Sequence, residues 1–136
     1  MRIEILNTGA ELLLGRVLNS HQQFLCRRLA DLGWTVARQT CVSDDGFAIE
    51  EAVRECLSRA DVVITTGGLG PTSDDRTRDR LAALLGRRLV VDERVKERIQ
   101  HWFCHRGRPM PQSTLVQADV PEGAVVLLNE HGTAPG

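Results

Sequence analysis

Short apolar runs rich in β-branched residues alternate along this chain with stretches of helical spacing. That alternation predicts an α/β domain built on a mainly parallel sheet. Two further observations point the same way. Asp61-Val62-Val63-Ile64 reads as a buried strand that runs into a glycine loop and then a helix. Acidic residues follow the apolar runs at three places, where open α/β sheets put their ligands. With 136 residues, 42% of them hydrophobic, the chain is expected to form one domain over 1–136.

The elements follow in order. Arg2-Ile3-Glu4-Ile5-Leu6-Asn7 opens with apolar alternation and reads as the first strand. Residues 8–15 then turn, with Gly9 and Gly15 near the ends. Asn19 or Ser20 caps a helix with Leu25, Leu29 and Leu32 at helical spacing, stopped by Gly33. Residues 34–42 read as the second strand and lead into Ser43-Asp44-Asp45-Gly46. The next helix carries Ile49, Val53, Cys56, Leu57 and Ala60 on one stripe. After the central strand and its loop comes a helix with Leu81, Leu84 and Leu85 on one face, ending at Gly86. Residues 87–91 form a short strand or extended connector. Residues 93–107 are helical, with Val95, Ile99, Trp102 and Phe103 inward, and Pro109 and Pro111 end the run. Residues 112–118 have room for one helical turn, and residues 124–128 read as a last strand.

Composition excludes several classes. A formal charge of −1 leaves no electrostatic footprint for nucleic acid, although arginines cluster at Arg76, Arg78 and Arg80 and at Arg87 and Arg88. The apolar runs are far too short for a membrane span. The chain enters a strand at once, without a basic-then-apolar leader, so the cytoplasm is the expected compartment. The four cysteines form no C-x-x-C pair, and three fall inside predicted elements, so buried thiols are expected rather than a disulfide framework. His101, Cys104 and His105 fall within one helical turn. A zinc helix of the H-E-x-x-H type needs an acid where Trp102 stands, so exposed histidines beside a Trp102/Phe103 core face are the better account.

The chemistry concentrates in Thr65-Thr66-Gly67-Gly68-Leu69-Gly70-Pro71-Thr72-Ser73-Asp74-Asp75. Glycines there let a phosphate lie against the backbone, and a following helix N-terminus adds partial positive charge. Asp74 and Asp75 place two carboxylates at the rim. The loop is neither a dinucleotide fingerprint nor a P-loop, because the glycine spacing and the missing Lys-Ser/Thr exclude both. A plain alternative is a tight turn in which Asp74 or Asp75 caps the next helix. Glu11 after strand one, and Asp44 with Asp45 after strand two, carry the same choice between ligand chemistry and turn or cap. In a parallel sheet all these acids follow strand C-termini and are expected along one edge, forming a cleft able to hold a divalent cation such as Mg²⁺ through oxygen ligands.

Three motifs carry a family resemblance: Gly9-Ala10-Glu11-Leu12-Leu13-Leu14-Gly15, Thr66-Gly67-Gly68-Leu69-Gly70-Pro71-Thr72 with Asp74-Asp75-x-Thr77, and Gly132-Thr133-Ala134-Pro135-Gly136. In order and over essentially the whole chain they resemble the N-terminal domain of CinA (competence/damage-inducible) proteins, within the MoaB/Mog-like group of molybdopterin-binding folds. The resemblance implies a three-layer α/β/α sandwich, with Gly67, Gly68 and Gly70 holding a phosphate. It implies that Asp75 works with a divalent metal, that Asp44 is the second acid, and that Asp74, Glu11, Gly9, Thr66, Thr72 and Thr77 belong to the site. Ala10 stands where the motif usually has Thr. The family domain runs on past G-T-A-P-G, so a chain stopping at Gly136 is expected to lack part of its pocket and the separate deamidase domain.

The leading expectation from this resemblance is a metal-dependent pyrophosphatase of the ADP-ribose class, with Thr77 orienting the Asp74–Asp75 turn. The alternatives are molybdopterin binding or adenylylation in molybdenum cofactor biosynthesis, and a non-catalytic module that binds a nucleotide or itself. The expected partner is a phosphorylated nucleotide or pterin small molecule, with no nucleic acid and no membrane. Relatives commonly self-associate, so a homo-oligomer is implied.

Overall fold

Every residue of β1 (Ile3–Thr8) is buried, including one carboxylate, and the first half of the chain is built around it. The computed structural model describes residues 1–136, which divide into two compact units, Met1–Gly68 and Leu69–Gly136. In the first unit β1 lies between β2 (Val36–Val42) and β3 (Val62–Thr66), in the order β2-β1-β3, and both pairings are parallel. The fold is therefore mixed α/β on a parallel sheet, as the alternation predicts. A central strand covered on both faces needs apolar residues at successive positions, which Ile3, Ile5 and Leu6 supply. Each contributes about 1.5–3 kcal/mol by leaving water.

Glu4 is the exception on β1. Its side chain is fully buried and accepts from Arg59 Nε at 3.0 and 3.1 Å, with Arg2 Nε 3.4 Å away. Burial pushes this carboxyl up. The hydrogen bonds from Arg59 and the Cys56 thiol, with the charges of Arg59 and Arg2, outweigh burial and hold it below the ordinary carboxylate value.

The helices of this unit start where their caps say they should. α1 (Ala10–Leu13) is a single turn in the segment that reads as a plain turn in the sequence. Asn19 caps α2 (Ser20–Asp31) by accepting from Gln22 N at 3.0 Å. Asp45 caps α3 (Gly46–Arg59) by accepting from Ala48 N at 2.9 Å. α3 buries Ile49, Ala52, Val53 and Cys56, close to the expected stripe, while Leu57 turns outward. α2 buries no residue fully, and Leu32 lies beyond its end, exposed.

In the second unit α4 (Thr77–Leu84) buries Thr77 and Ala82 fully, while Leu81 and Leu84 of the expected leucine face are half-buried. Leu85 is the exposed C-cap, past the last helical turn. β4 (Leu89–Val91) pairs antiparallel with β5 (Asp119–Pro121), Val90 opposite Val120. Three residues that include a proline carry too little periodicity to announce β5 in the sequence. α5 (Glu93–His105) is capped by Asp92, and its Val95 and Ile99 pack with Ala118 of a 3₁₀ helix, Gln112–Ala118. Phe103, Met110 and Val126 pack against that cluster.

Two expectations are corrected. Residues 124–128 form no strand: Val125 is 85% exposed, and only Val126 packs inward. Leu127 and Gly136 exchange backbone hydrogen bonds at 2.7 and 2.8 Å, but a single pair is not a ladder. The cysteines are all free as expected, yet only Cys56 is buried and Cys104 is exposed. No helix is long and apolar enough to cross a membrane.

Candidate functional site

Parallel pairing puts the C-terminal ends of the three strands of the first unit at one edge. Thr8 lies opposite Val42, and Asn7 opposite Thr66. Polar side chains stitch these ends together. Thr66 Oγ1 donates to Asn7 Oδ1 at 2.8 Å, Asn7 Nδ2 donates to Thr40 O at 3.4 Å, and Thr8 Oγ1 donates to Thr66 O at 3.3 Å. Asn7 and Thr8 are site residues that the sequence reading passed over. The signal available was a polar pair closing a buried strand just before Gly9.

Gly67 follows β3 with φ +92°, and a Cβ there would run into the carbonyl oxygen of Thr8. Only glycine allows the chain to leave β3 so close to the end of β1. Gly68, also at positive φ, closes this unit. At the end of β1 the Gly9 amide donates to Val42 O at 3.0 Å, and the Ala10 amide donates to Asp44 Oδ2 at 2.9 Å. Glu11 folds back over Gly9, where an added Cβ would lie 2.6 Å from its Oε1. Burial, followed by the negative charges of Glu11 and Asp44, pushes the neighbouring Cys41 thiol up. Gly9, Glu11, Asp44, Thr66 and Gly67 are thus gathered at the sheet edge. Asp45 is drawn off to cap α3, so the adjacent acids Asp44 and Asp45 have divided roles.

In the second unit the acid singled out by sequence is turned into its own loop. Asp75 Oδ2 accepts from the Thr72 amide at 3.0 Å and from the Thr72 hydroxyl, while the Asp75 amide donates to Thr72 O at 3.1 Å. A Cβ on Gly70 would collide with the Asp75 carboxylate. Burial pushes the Asp75 carboxyl up, but hydrogen bonds from the Thr72 hydroxyl, the Thr72 amide and the Gly70 amide, together with the Arg78 charge, hold it below its ordinary value. The group is an ionised carboxylate near neutral pH. Neither Asp74 nor Asp75 caps α4, whose N-cap is Arg76 without a side-chain bond. Asp74 is exposed and its Oδ1 accepts from Ser73 Oγ at 3.3 Å, while Thr77 is buried as the first residue of α4.

Two more residues of this unit bear on the loop. Gln117 Nε2 donates to Leu69 O at 3.3 Å. Arg78 has its Nη2 3.3 Å from Asp79, and its Nε is buried without a partner in the protein. On α5 the rings of His101 and His105 stack with centroids 6.2 Å apart, and Arg106 lies 3.8 Å over the ring of Trp102.

No group of three or more His, Cys, Asp or Glu is arranged to hold a metal ion. Mg²⁺ commonly binds through one or two carboxylates while keeping its water and taking substrate phosphate oxygens. Asp44 in the first unit, and Asp74 with Asp75 in the second, are oxygen donors of the kind that suits such a cation.

Comparison with known proteins gives the family and the fold. A family profile described as "Probable molybdopterin binding domain" matches residues 4–136. A CinA-like protein from Akkermansia muciniphila is 48% identical over 136 residues, covering 100% of this chain and 33% of its own length. The chain spans about a third of the length of the curated relatives it matches. Among solved structures, the protein CinA from Thermoplasma acidophilum, described as of unknown function, superposes with TM-score 0.87 at 33% identity, covering 99% of this chain and 79% of that one. The molybdopterin biosynthesis enzyme MoaB from Thermus thermophilus gives TM-score 0.60 at 22% identity, covering 88% and 78%, which is a likeness of fold.

Proposed function

The chain belongs to the molybdopterin-binding domain family, in its CinA-type branch, and on that premise we propose that it binds a nucleotide diphosphate and hydrolyses its pyrophosphate bond, with ADP-ribose as the substrate class. The observation that carries this reading is the Asp75 carboxylate, seated on the Thr72 amide and hydroxyl at the end of a glycine loop. Such a loop matches the needs of phosphoryl chemistry: amides for the anion, and a carboxylate for water or a cation. Gly67, Gly68, Gly70, Thr66 and Thr72 are proposed to contact phosphate oxygens, with Gly9 shaping the turn under Glu11.

In the reaction, the oxygen of a water molecule bonds to one phosphorus as the bridging P–O bond breaks. AMP and ribose 5-phosphate leave, and two protons pass to solvent. In the second unit Asp75, supported by Asp74, is the acid proposed to orient that water or hold a cation; in the first unit Asp44, supported by Glu11, is the acid proposed for the same work. A divalent cation, when bound, supplies polarisation of the phosphoryl oxygens. Both Asp44 and Asp75 already accept amide hydrogen bonds that hold their carboxylates in place. Orientation set before the ligand arrives is the main service a protein renders to this chemistry. Turnover of ADP-ribose with Mg²⁺, Mn²⁺ or Co²⁺ tests the reading against a folded Asp75→Ala control. Wild type is expected to exceed the control by roughly 100-fold or more, and equal rates sink the hydrolase.

The family description favours a second reading, molybdopterin binding without pyrophosphate cleavage. A titration in which molybdopterin and ADP-ribose compete separates the two, and a chain that binds only the pterin belongs to this second reading.

A further inference from the structure

We propose that the second unit carries a separate small-oxyanion site between the C-terminal half of α5 and residues 129–132, where Arg98, His101, Trp102, His105 and Arg106 line a pocket for a phosphate or diphosphate group. The pocket has a volume of about 220 Å³, and none of its lining residues lies in the 69–75 stretch. That is room for a diphosphate, but less than the ~300–1,000 Å³ of a drug-sized ligand site. Helical spacing brings these side chains together. Val95, Ile99 and Phe103 pack inward, and positions 98, 101, 102 and 105 form the adjacent stripe of the same helix. The facing wall is a closed loop. Leu127 and Gly136 pair through their backbones, while Asn129 Nδ2 donates to Ala134 O at 3.0 Å and Asn129 Oδ1 accepts from the His131 amide at 2.9 Å. Arg98 Nη2 donates to Asn129 O at 3.0 Å and ties this loop to the helix, so both walls are set before a ligand arrives.

Charge is segregated in this pocket. Arg98 and Arg106 form no ion pair, and Glu130, the one carboxylate in the lining, pairs with neither. Glu93 and Glu97, the acids of α5 itself, are absent from it. Two guanidinium groups against one carboxylate leave the pocket positive in a chain whose formal charge is −1. Cations in the last turn of a helix favour its dipole, which accounts for His105 and Arg106. It does not account for Arg98 and His101, which stand further back on the same stripe. Arg106 lies over Trp102, 3.8 Å from the ring centroid, and Trp102 meets Phe103 edge-on at 5.0 Å. A guanidinium held by a ring face is positioned while its N–H donors stay free, and its fork matches two oxygens of a phosphate. The stacked rings of His101 and His105 add further N–H donors. A cation is the wrong guest here, because these histidines and Glu130 make no metal-holding set.

The test titrates inorganic phosphate, then pyrophosphate, into the ¹⁵N-labelled full chain at constant ionic strength. Saturable shifts are expected at the Trp102 indole N–H and at the His101 and His105 amides, with a Kd of about 1 mM or below for pyrophosphate. Arg106→Gln changes an exposed side chain and is expected to weaken binding about 5-fold or more. His101→Gln is expected to weaken it in the same direction, which holds the inference to account should the arginine variant fail to fold. Arg108→Gln removes the same charge from an exposed residue outside the pocket and is expected to change the Kd less than ~2-fold. Equal weakening by Arg106→Gln and Arg108→Gln means general attraction to positive charge and overturns the site. So does the absence of saturable shifts at Trp102, His101 and His105 up to ~10 mM pyrophosphate. The Gly67, Gly68 and Gly70 amides report the proposed substrate site separately, so either reading can fail alone.

Discussion

Single residues carry most of what is distinctive in this domain, and each makes a measurable claim. Gly67 sits at φ +92° against the Thr8 carbonyl, so Gly67→Ala combines a strained backbone with a collision. It is expected to cost about 1–3 kcal/mol in urea or thermal unfolding; a variant as stable as wild type contradicts the close approach. Glu4 makes a claim about pH. Its carboxyl is held below the ordinary 4.5 by Arg59, Cys56 and Arg2 against the upward push of burial. A depressed native value means the stabilisation is complete above the unfolded value and is lost as pH falls through the native one. The wild-type melting temperature should therefore fall below about pH 4.5, and Glu4→Gln should fall less over that range while melting roughly 5–10 °C lower near neutrality. Parallel pH profiles would contradict the buried pair. The tight loop at Gly67 and Gly68 was legible in the sequence, because glycines after a strand mark a turn that needs positive φ. Asn7, Thr8 and Gln117 were not, since a lone polar residue among apolar neighbours announces neither its partner nor its direction.

The elements show the same division between local and long-range information. Caps were readable: Asn19 and Asp45 do what short polar residues before an amphipathic run do. The acids Asp44 and Asp45 stand side by side yet part company, one to the Ala10 amide and one to the α3 cap. Asp45→Ala is expected to lose about 1 kcal/mol of stability with ADP-ribose turnover near wild type. Asp44→Ala is expected to keep the α3 cap and lose turnover by more than ~10-fold. If the two variants behave alike, the division of roles is wrong. Residues 124–128 were misread because an apolar run signals burial but not a pairing partner. Val125 and Leu127 point outward, and the run's one backbone pair is with Gly136. β5 was invisible for the converse reason: it is a strand by virtue of β4 beside it, not by its own three residues.

At the scale of the whole molecule, the parallel sheet and the family were both legible, the first from periodicity and the second from three motifs in order. The division into two compact units was not, because no composition shift marks Gly68 from Leu69. Without a group of three ligating side chains, the domain should hold a divalent cation weakly by itself. Thermal shift with Mg²⁺ alone is expected to be small, while Mg²⁺ with ADP-ribose at ~100 times its Kd should stabilise by about 2.7 kcal/mol. A large shift from the cation alone would mean a resident metal site. The central claim is that the glycine loop and its acid are where a diphosphate binds. Titrating ADP-ribose with Mg²⁺ into the ¹⁵N-labelled chain tests it most directly. The account predicts saturable shifts of the Gly67, Gly68, Gly70 and Thr72 amides that vanish in Asp75→Ala, and loop amides that stay still while ligand binds elsewhere, or not at all, would contradict it.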